Sequence, residues 1–355
     1  MTILQLPGLI DVHVHLREPG ATHKEDFDSG TAAALAGGFT LVLDMPNNTP
    51  PVTTADTLAA KQQAARRHAR CDYGLHLGAG DDNIETAHCL APQVTGLKMY
   101  LDQTFGPLRL DDLHSLVAHM ERWPADVPIL CHAEGRTVAA CLMAAHLTGR
   151  RVHICHVSRS DEIDLIRRAK DKGLGVTCEV TPHHFFLTGE AAHSIGFGRS
   201  EVRPRLGREV DRQALRAALD VIDCFATDHA PHTPAEKDSP QPPPGFPGLE
   251  TALPLYLELV REGLISMAQL IDRLVNNPRK IFRLPDQADT LIEVDVDQDW
   301  IVRGSDLKTR AKWSPFEGWV LRGRVTRVTL RGRAAYEDGA VIAPPGFGHD
   351  VRTVA

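Results

Sequence analysis

The sequence predicts an α/β fold, a (β/α)8 TIM barrel carrying a small C-terminal β appendage, and three observations lead there. Eight short apolar segments alternate with helical ones over about 250 residues, the count of such a barrel. No glycine-rich phosphate loop follows any of the eight, which disfavours a doubly wound open sheet as the alternative. Possible ligands recur at the C-terminal ends of the segments, where barrel enzymes hold their reactive groups.

The first segment, Leu9 to Arg17, sets the pattern. Read as a regular strand, it puts Asp11, His13 and His15 on one face and Val12, Val14 and Leu16 on the other. Two imidazoles two residues apart can converge on one cation of the zinc type, or stand as ordinary hydrogen-bonded histidines. A turn at Glu18-Pro19-Gly20 follows, then a helix over about 24–36 stopped by Gly37-Gly38. Strand two runs from Thr40 to Met45 and ends in Pro46-Asn47-Asn48. The alanine-rich stretch 54–69 reads as helix, 71–78 as strand three, 82–91 as a short helix and 96–101 as strand four. A loop at 102–108 and a helix at 110–122 precede strand five, 127–132. The alternation continues with helix 135–148, strand six at 151–157, and helix 161–172 with Ile163, Leu165, Ile166 and Ala169 at helical spacing. Strand seven covers about 175–181 and strand eight 222–228, with a less regular connection between. Ser266 and Gln269 form a capping box for a helix at 267–275. Residues 1–317 are assigned to the barrel and 318–355 to a small β-rich tail packed on it.

Composition narrows the function classes. The 43% hydrophobic and 24% charged content of the 355 residues is that of a globular protein with a large core. A net charge of -7 without a basic block argues against nucleic acid as a partner. Seven scattered cysteines with no CxxC pair point to a reduced, cytoplasmic compartment. No signal-peptide pattern and no membrane-length apolar run is present, so no membrane partner is expected.

The strand ends supply His13, His15, Lys98, His132, His156 and Asp228. That set is too large for one open tetrahedral zinc and suits two metals sharing a ligand. Lys98, between Leu97 and Met99, is costly to bury as an ammonium. It either snorkels to an acid or is a neutral amine that has captured CO2 as a carbamate able to bridge two metals.

These residues lie in motifs that closely resemble the dihydroorotases of the amidohydrolase superfamily, most of all the dihydroorotase domain of the animal multifunctional pyrimidine-synthesis protein. The matching text is GLIDVHVHLREPG (8–20), MPN (45–47), GLKMYL (96–101), HAE (132–134), HICHV (153–157), EVTPHH (179–184), EVRP (201–204), DHAPH (228–232) and PPPGFPGLET (242–251). The resemblance implies two zinc ions, one on His13, His15 and Asp228, the other on His132 and His156, bridged by carboxylated Lys98. It implies that the substrate carboxylate is held by Arg17, Asn47, Arg203 and His232, under a mobile loop carrying Thr104 and Phe105. Cys155 and Glu179 match positions that, with His13, hold a third zinc. Strict alternation turns Cys155 away from His156, so a buried structural cysteine stays open as the other reading.

The activity implied is the reversible closure of N-carbamoyl-L-aspartate to L-dihydroorotate in pyrimidine synthesis, with Asp228 as the proton shuttle. A homodimer and association with other pyrimidine-pathway enzyme domains are the partners implied. Two rivals remain at this point: another cyclic amidohydrolase of hydantoinase or allantoinase type, and a catalytically silent scaffold relative.

Overall fold

A computed structural model of the chain describes residues 2–352. Its strands are β1 (Ile3–Pro7), β2 (Leu9–Val14), β3 (Phe39–Asp44), β4 (Asp72–Gly78), β5 (Gly96–Tyr100), β6 (Ile129–His132), β7 (Val152–Ile154), β8 (Val176–Val180), β9 (Cys224–Phe225), β10 (Leu291–Ile301), β11 (Val320–Leu330), β12 (Arg333–Glu337) and β13 (Ala340–Val341). Strands β2 to β9 form one parallel sheet in sequence order. A parallel bridge between Val14 and His229 brings its two edges together, with the His15 backbone N–H donating to the His229 carbonyl at 2.8 Å. This is the (β/α)8 arrangement that the alternation predicts.

Parallel strands are buried on both faces, and every residue of β2 to β9 except Thr177 is buried here, the polar ones included. The outer faces pack on helices such as Phe27–Ala36, Ala55–His68, Arg136–Thr148 and Ser160–Asp171. A second cluster, containing Ile10, Val12, Leu41, Leu43, Leu130, Cys224 and Phe282, fills a separate part of the core. Strand β2 departs from regular alternation: its register against β3 shifts between Asp11 and Val14. Val12 therefore joins that second cluster, whereas strict alternation would put it with Val14, and Asp11 turns to Thr227.

The connection between β8 and β9 holds helices that the sequence reading left unassigned, chiefly Glu209–Ala217. The helix Leu249–Arg261 after the proline cluster was also unassigned. The helix opened by the Ser266 capping box runs on past residue 275, through a π-helical turn into Asn277–Phe282. Pro278 comes just after the π-helical turn Asp272–Asn276, which is where the regular α-helical hydrogen-bond ladder is interrupted.

The appendage is an antiparallel sheet ordered β1-β10-β11-β12-β13. It takes β1 from before the barrel and β10 from before residue 318, pairing Ile3 with Asp295 and Pro7 with Leu291. Ile292 and Val294 alternate inward along β10. Gly38 makes the close docking possible, since a Cβ there would meet Ile292 Cδ1 at 2.9 Å. The chain between β10 and β11 then braces the barrel mouth. The backbone N–H of Arg310 donates to buried Glu25 at 3.1 Å, and Trp313 Nε1 donates to the His232 carbonyl at 2.8 Å. No helix among the described residues is long and apolar enough to cross a membrane.

Candidate active site

The C-terminal strand ends bring the predicted metal residues into two adjoining groups. His13 and His15 come from β2 and the residues just after it, and Asp228 follows β9. Asp228 Oδ1 lies 3.3 Å from His13 Nε2 and 3.0 Å from His15 Nε2. In the second group, His132 Nδ1 faces His156 Nε2 at 2.9 Å. The rings of His13 and His156, 5.1 Å apart, join the two groups. Lys98 is fully buried, its Nζ donating to Cys155 Sγ at 3.0 Å and standing 5.1 Å from the Tyr100 ring centroid.

Three of the site residues adopt positive φ: Arg17 at 62°, His156 at 34° and Asp228 at 46°. Such backbone is costly for non-glycine residues and clusters at functional sites. At His156 it answers the alternation problem. Strand β7 stops at Ile154, so Cys155 and His156 lie beyond the regular pleat and both turn toward the centre. Cys155 Sγ, Glu179 and His13 thereby bring their ligand atoms within 4.8 Å of one another. Glu179 is shared, its Oε1 in close contact with His13 Nδ1 and its Oε2 accepting from His153 Nε2 at 3.0 Å.

Hydrogen bonds fix the histidine tautomers. A carboxylate oxygen only accepts, so the contact with Glu179 puts the His13 proton on Nδ1 and leaves Nε2 bare. His15 Nδ1 donates to Asn47 Oδ1 at 2.7 Å, and the Asn47 amide is oriented by donating Nδ2 to the Phe105 carbonyl at 2.9 Å. The bare Nε2 atoms of His13 and His15 thus both point at Asp228 Oδ1. Burial first, and then neighbouring positive charge, hold both imidazoles well below their usual pKa, so they are neutral. Burial lifts Asp228 to about 7. A single proton on Asp228 serves only one of the two nitrogens, whereas a cation serves all three atoms. The second group behaves alike: His132 Nε2 donates to Glu134 Oε1 at 3.2 Å, freeing Nδ1. His156 Nδ1 is buried without a partner. Nitrogen and oxygen donors arranged this way fit zinc-type cations.

Beside the metal-type centre lies a small cavity of about 20 Å³ lined by His15, Arg17, Asn47, Thr104, Phe105 and Arg203, among others. It has room for little more than a water molecule. The 102–108 loop is folded over it, with Phe105 edge-on to His232 at 5.0 Å between centroids and 5.1 Å from Arg17 Cζ. Arg17 is buried, donates Nε to the Pro231 carbonyl at 3.1 Å, and makes no ion pair among the described residues. Arg203 instead pairs with Glu201 at 2.9 Å and separates this cavity from an outer one of about 500 Å³. Thr104 lies in the cavity wall beside Phe105.

Sequence reasoning passed over three residues that the structure brings in. Glu134 orients His132, and its place two residues further on in the HAE motif was the available signal. His153 holds Glu179, and it too stood in a quoted motif. Lys24, in the turn before the first helix, contacts His232 and carried no sequence signal.

Residues 4–294 match the model described as the Amidohydrolase family. The chain is 56% identical over 350 residues to multifunctional protein CAD of Squalus acanthias, and 51% identical over 352 to multifunctional protein pyr1-3 of Dictyostelium discoideum. Those matches cover 99% of this chain but only 16% of each relative's length. A dihydroorotase of Pyrococcus furiosus is 35% identical, over 96% of this chain and 83% of that enzyme. Among solved structures, L-hydantoinase from Arthrobacter aurescens superposes with a TM-score of 0.92 at 25% identity, covering 98% of this chain and 88% of that one. The inactive dihydroorotase-like domain of a Chaetomium thermophilum CAD-like multifunctional protein gives a TM-score of 0.84 at 30% identity, covering 99% of both chains. With its ligand-rich strand ends and these relatives, the chain belongs to the amidohydrolase family and is homologous to dihydroorotase domains that include the one in animal CAD.

Proposed function

We propose that the chain is a zinc-dependent dihydroorotase that interconverts N-carbamoyl-L-aspartate and L-dihydroorotate. The observation that carries this is buried Arg17, which makes no ion pair among the described residues, stands beside His232 and lines one cavity with Asn47 at the edge of the metal-type centre. A buried guanidinium calls for an anion, and its planar fork matches a carboxylate. A hydantoin or allantoin ring carries no such group and would leave the cation unpaired. The fold alone does not decide, because hydantoinases and an inactive dihydroorotase-like domain share it. Against the silent reading stands the intact set His13, His15, Lys98, His132, His156 and Asp228, all buried and converging.

The residues that fit a metal pair are His13, His15 and Asp228 for one ion and His132 and His156 for the other. Lys98 would join them as a carbamate, formed by addition of its amine nitrogen to CO2 with loss of a proton. Cys155, Glu179 and His13 form the candidate third site, where a cation would take the place of the His13 Nδ1 proton that faces Glu179. When bound, a zinc pair supplies a water activated at neutral pH and polarises a carbonyl. The chain's own groups do the rest. Arg17, Asn47, Arg203 and His232 orient the substrate carboxylate, placing the ring amide above Asp228. Asp228 takes the proton of the attacking water on its carboxylate and returns it to the leaving ring nitrogen, and the reverse steps close the ring. Thr104 and Phe105 exclude solvent from the closed pocket. On this reading the enzyme works beside other pyrimidine-pathway domains. The test is zinc content and dihydroorotate hydrolysis measured on one sample. Full zinc occupancy with no hydrolysis would reject the assignment.

A further inference from the structure

Lys24 is 6% exposed, unusual for a lysine, and its ammonium reaches three groups. Nζ lies 3.1 Å from His232 Nδ1, 3.0 Å from Glu236 Oε1 and 4.5 Å from the centroid of the Phe105 ring. An ammonium has no lone pair, so His232 Nδ1 must accept from it. Burial, reinforced by the charges of Arg17, Lys24 and Lys237, keeps His232 well below its usual pKa and therefore neutral. The single ring proton then sits on Nε2, which donates to the Pro244 carbonyl at 3.0 Å.

This tautomer creates a mismatch next door. Arg17 Nη2 lies 3.1 Å from the same Nε2, so two N–H donors meet there and the Pro244 carbonyl takes only the one from His232. An oxygen anion entering there would accept from Arg17 Nη2 and share the His232 proton with the Pro244 carbonyl. Were Nδ1 free of Lys24, the proton could move to Nδ1, and Nε2 would accept from Arg17. The two residues would then satisfy each other and offer the ligand one donor fewer. The lid shares the arrangement, since Phe105 covers both cations, with Lys24 Nζ at 4.5 Å and Arg17 Cζ at 5.1 Å from its centroid.

We infer that Lys24 is a positioning residue for substrate specificity: it holds His232 in the Nε2–H form so that His232 and Arg17 present paired donors to one carboxylate, and it seats Phe105 above them. The inference rests on the substrate assignment above for the identity of the carboxylate, but not for the tautomer.

The experiment uses the zinc-loaded enzyme labelled with 15N-histidine, the His232 signals being identified by their loss in His232→Asn. The wild type should show His232 with a protonated Nε2 and an unprotonated Nδ1. Lys24→Met should shift the proton to Nδ1, raise KM for dihydroorotate by about tenfold or more and leave kcat within about threefold, as loss of uniform binding requires. Lys24→Arg, which retains a donor, should restore the tautomer and part of the KM. A wild type with the proton on Nδ1 overturns the inference, and this result stands even if Lys24→Met does not fold. Equal KM in wild type and Lys24→Met also overturns it. A wild type with Nε2–H that fails to turn over dihydroorotate supports the tautomer lock while rejecting the substrate assignment.

Discussion

Asp11 and Thr227, 216 positions apart, are tied together beneath the site: Asp11 Oδ1 accepts the Thr227 backbone N–H at 3.2 Å, while Oδ2 accepts its hydroxyl. The same Oδ1 accepts the His13 N–H at 3.1 Å. The first barrel strand thereby holds the end of the last, and His13 is set against Asp228. Asp11→Ala would leave three buried donors unpaired, at about 3 kcal/mol in all. Denaturant titration should show that loss, and zinc affinity should fall with it. An Asp11→Ala protein of unchanged stability and zinc affinity would mean that the tie does not position the centre.

Metal content is the next prediction. Purified enzyme should hold two or three zinc ions for each chain, and His132→Ala should lose one ion and turnover. Lys98→Arg should lose the pair as well, because a guanidinium does not form a carbamate. Glu134→Gln, which leaves the ligands intact but loosens His132, should weaken zinc by about 10–100-fold. Normal zinc content and activity in Lys98→Arg would remove the bridging role.

Arg17→Ala and Arg203→Ala should each cost on the order of 2–5 kcal/mol in kcat/KM for dihydroorotate, as expected when one partner of a desolvated charge pair is cut away. Zinc content should stay constant. The two variants differ in the free enzyme, since Arg203 already pairs with Glu201 and Arg17 makes no ion pair among the described residues. Arg17→Ala should therefore be the more damaging. Unaltered kinetics in Arg17→Ala would point to a ring without a carboxylate.

The closed cavity of about 20 Å³ is too small for a six-membered ring, so the 102–108 loop must open to admit one. Phe105→Ala removes the aromatic cover from Arg17 and Lys24. It should raise KM by about tenfold and speed product release, measurable by stopped-flow. Wild-type kinetics in this variant would show that the loop is not a lid.

Direction should depend on pH. Hydrolysis of dihydroorotate creates a carboxylate and releases a proton, so higher pH favours opening and lower pH favours closure. Opening needs Asp228 ionised at the start, and closure needs it protonated. Burial sets Asp228 at about 7 in the protein alone, and a cation on Oδ1 lowers that. The opening rate should therefore rise with pH to a plateau whose inflection lies at or below 7, while the closure rate falls as pH rises. Both are measured on one preparation from about pH 5.5 to 9. Profiles that run parallel in the two directions would contradict the role of Asp228.

The sequence by itself determined the eight-fold alternation and the placing of His13, His15, Lys98, His132, His156 and Asp228 at strand ends, because apolar periodicity and glycine stops are local properties. Strand β10 carried no sequence assignment, and its partner β1 lies 284 positions away at Pro7–Leu291 and 292 at Ile3–Asp295, a range at which pairing leaves no mark in a short window. Tertiary structure alone decided which neighbours each side chain meets. The shift in β2 sent Asp11 to Thr227, and the positive φ of His156 brought Cys155 and His156 to the same centre. It also gave His232 its tautomer, through a lysine that nothing in its own stretch marks out. A tautomer belongs to whatever stands within about 3 Å of a ring nitrogen, and that is set only when the chain has closed on itself.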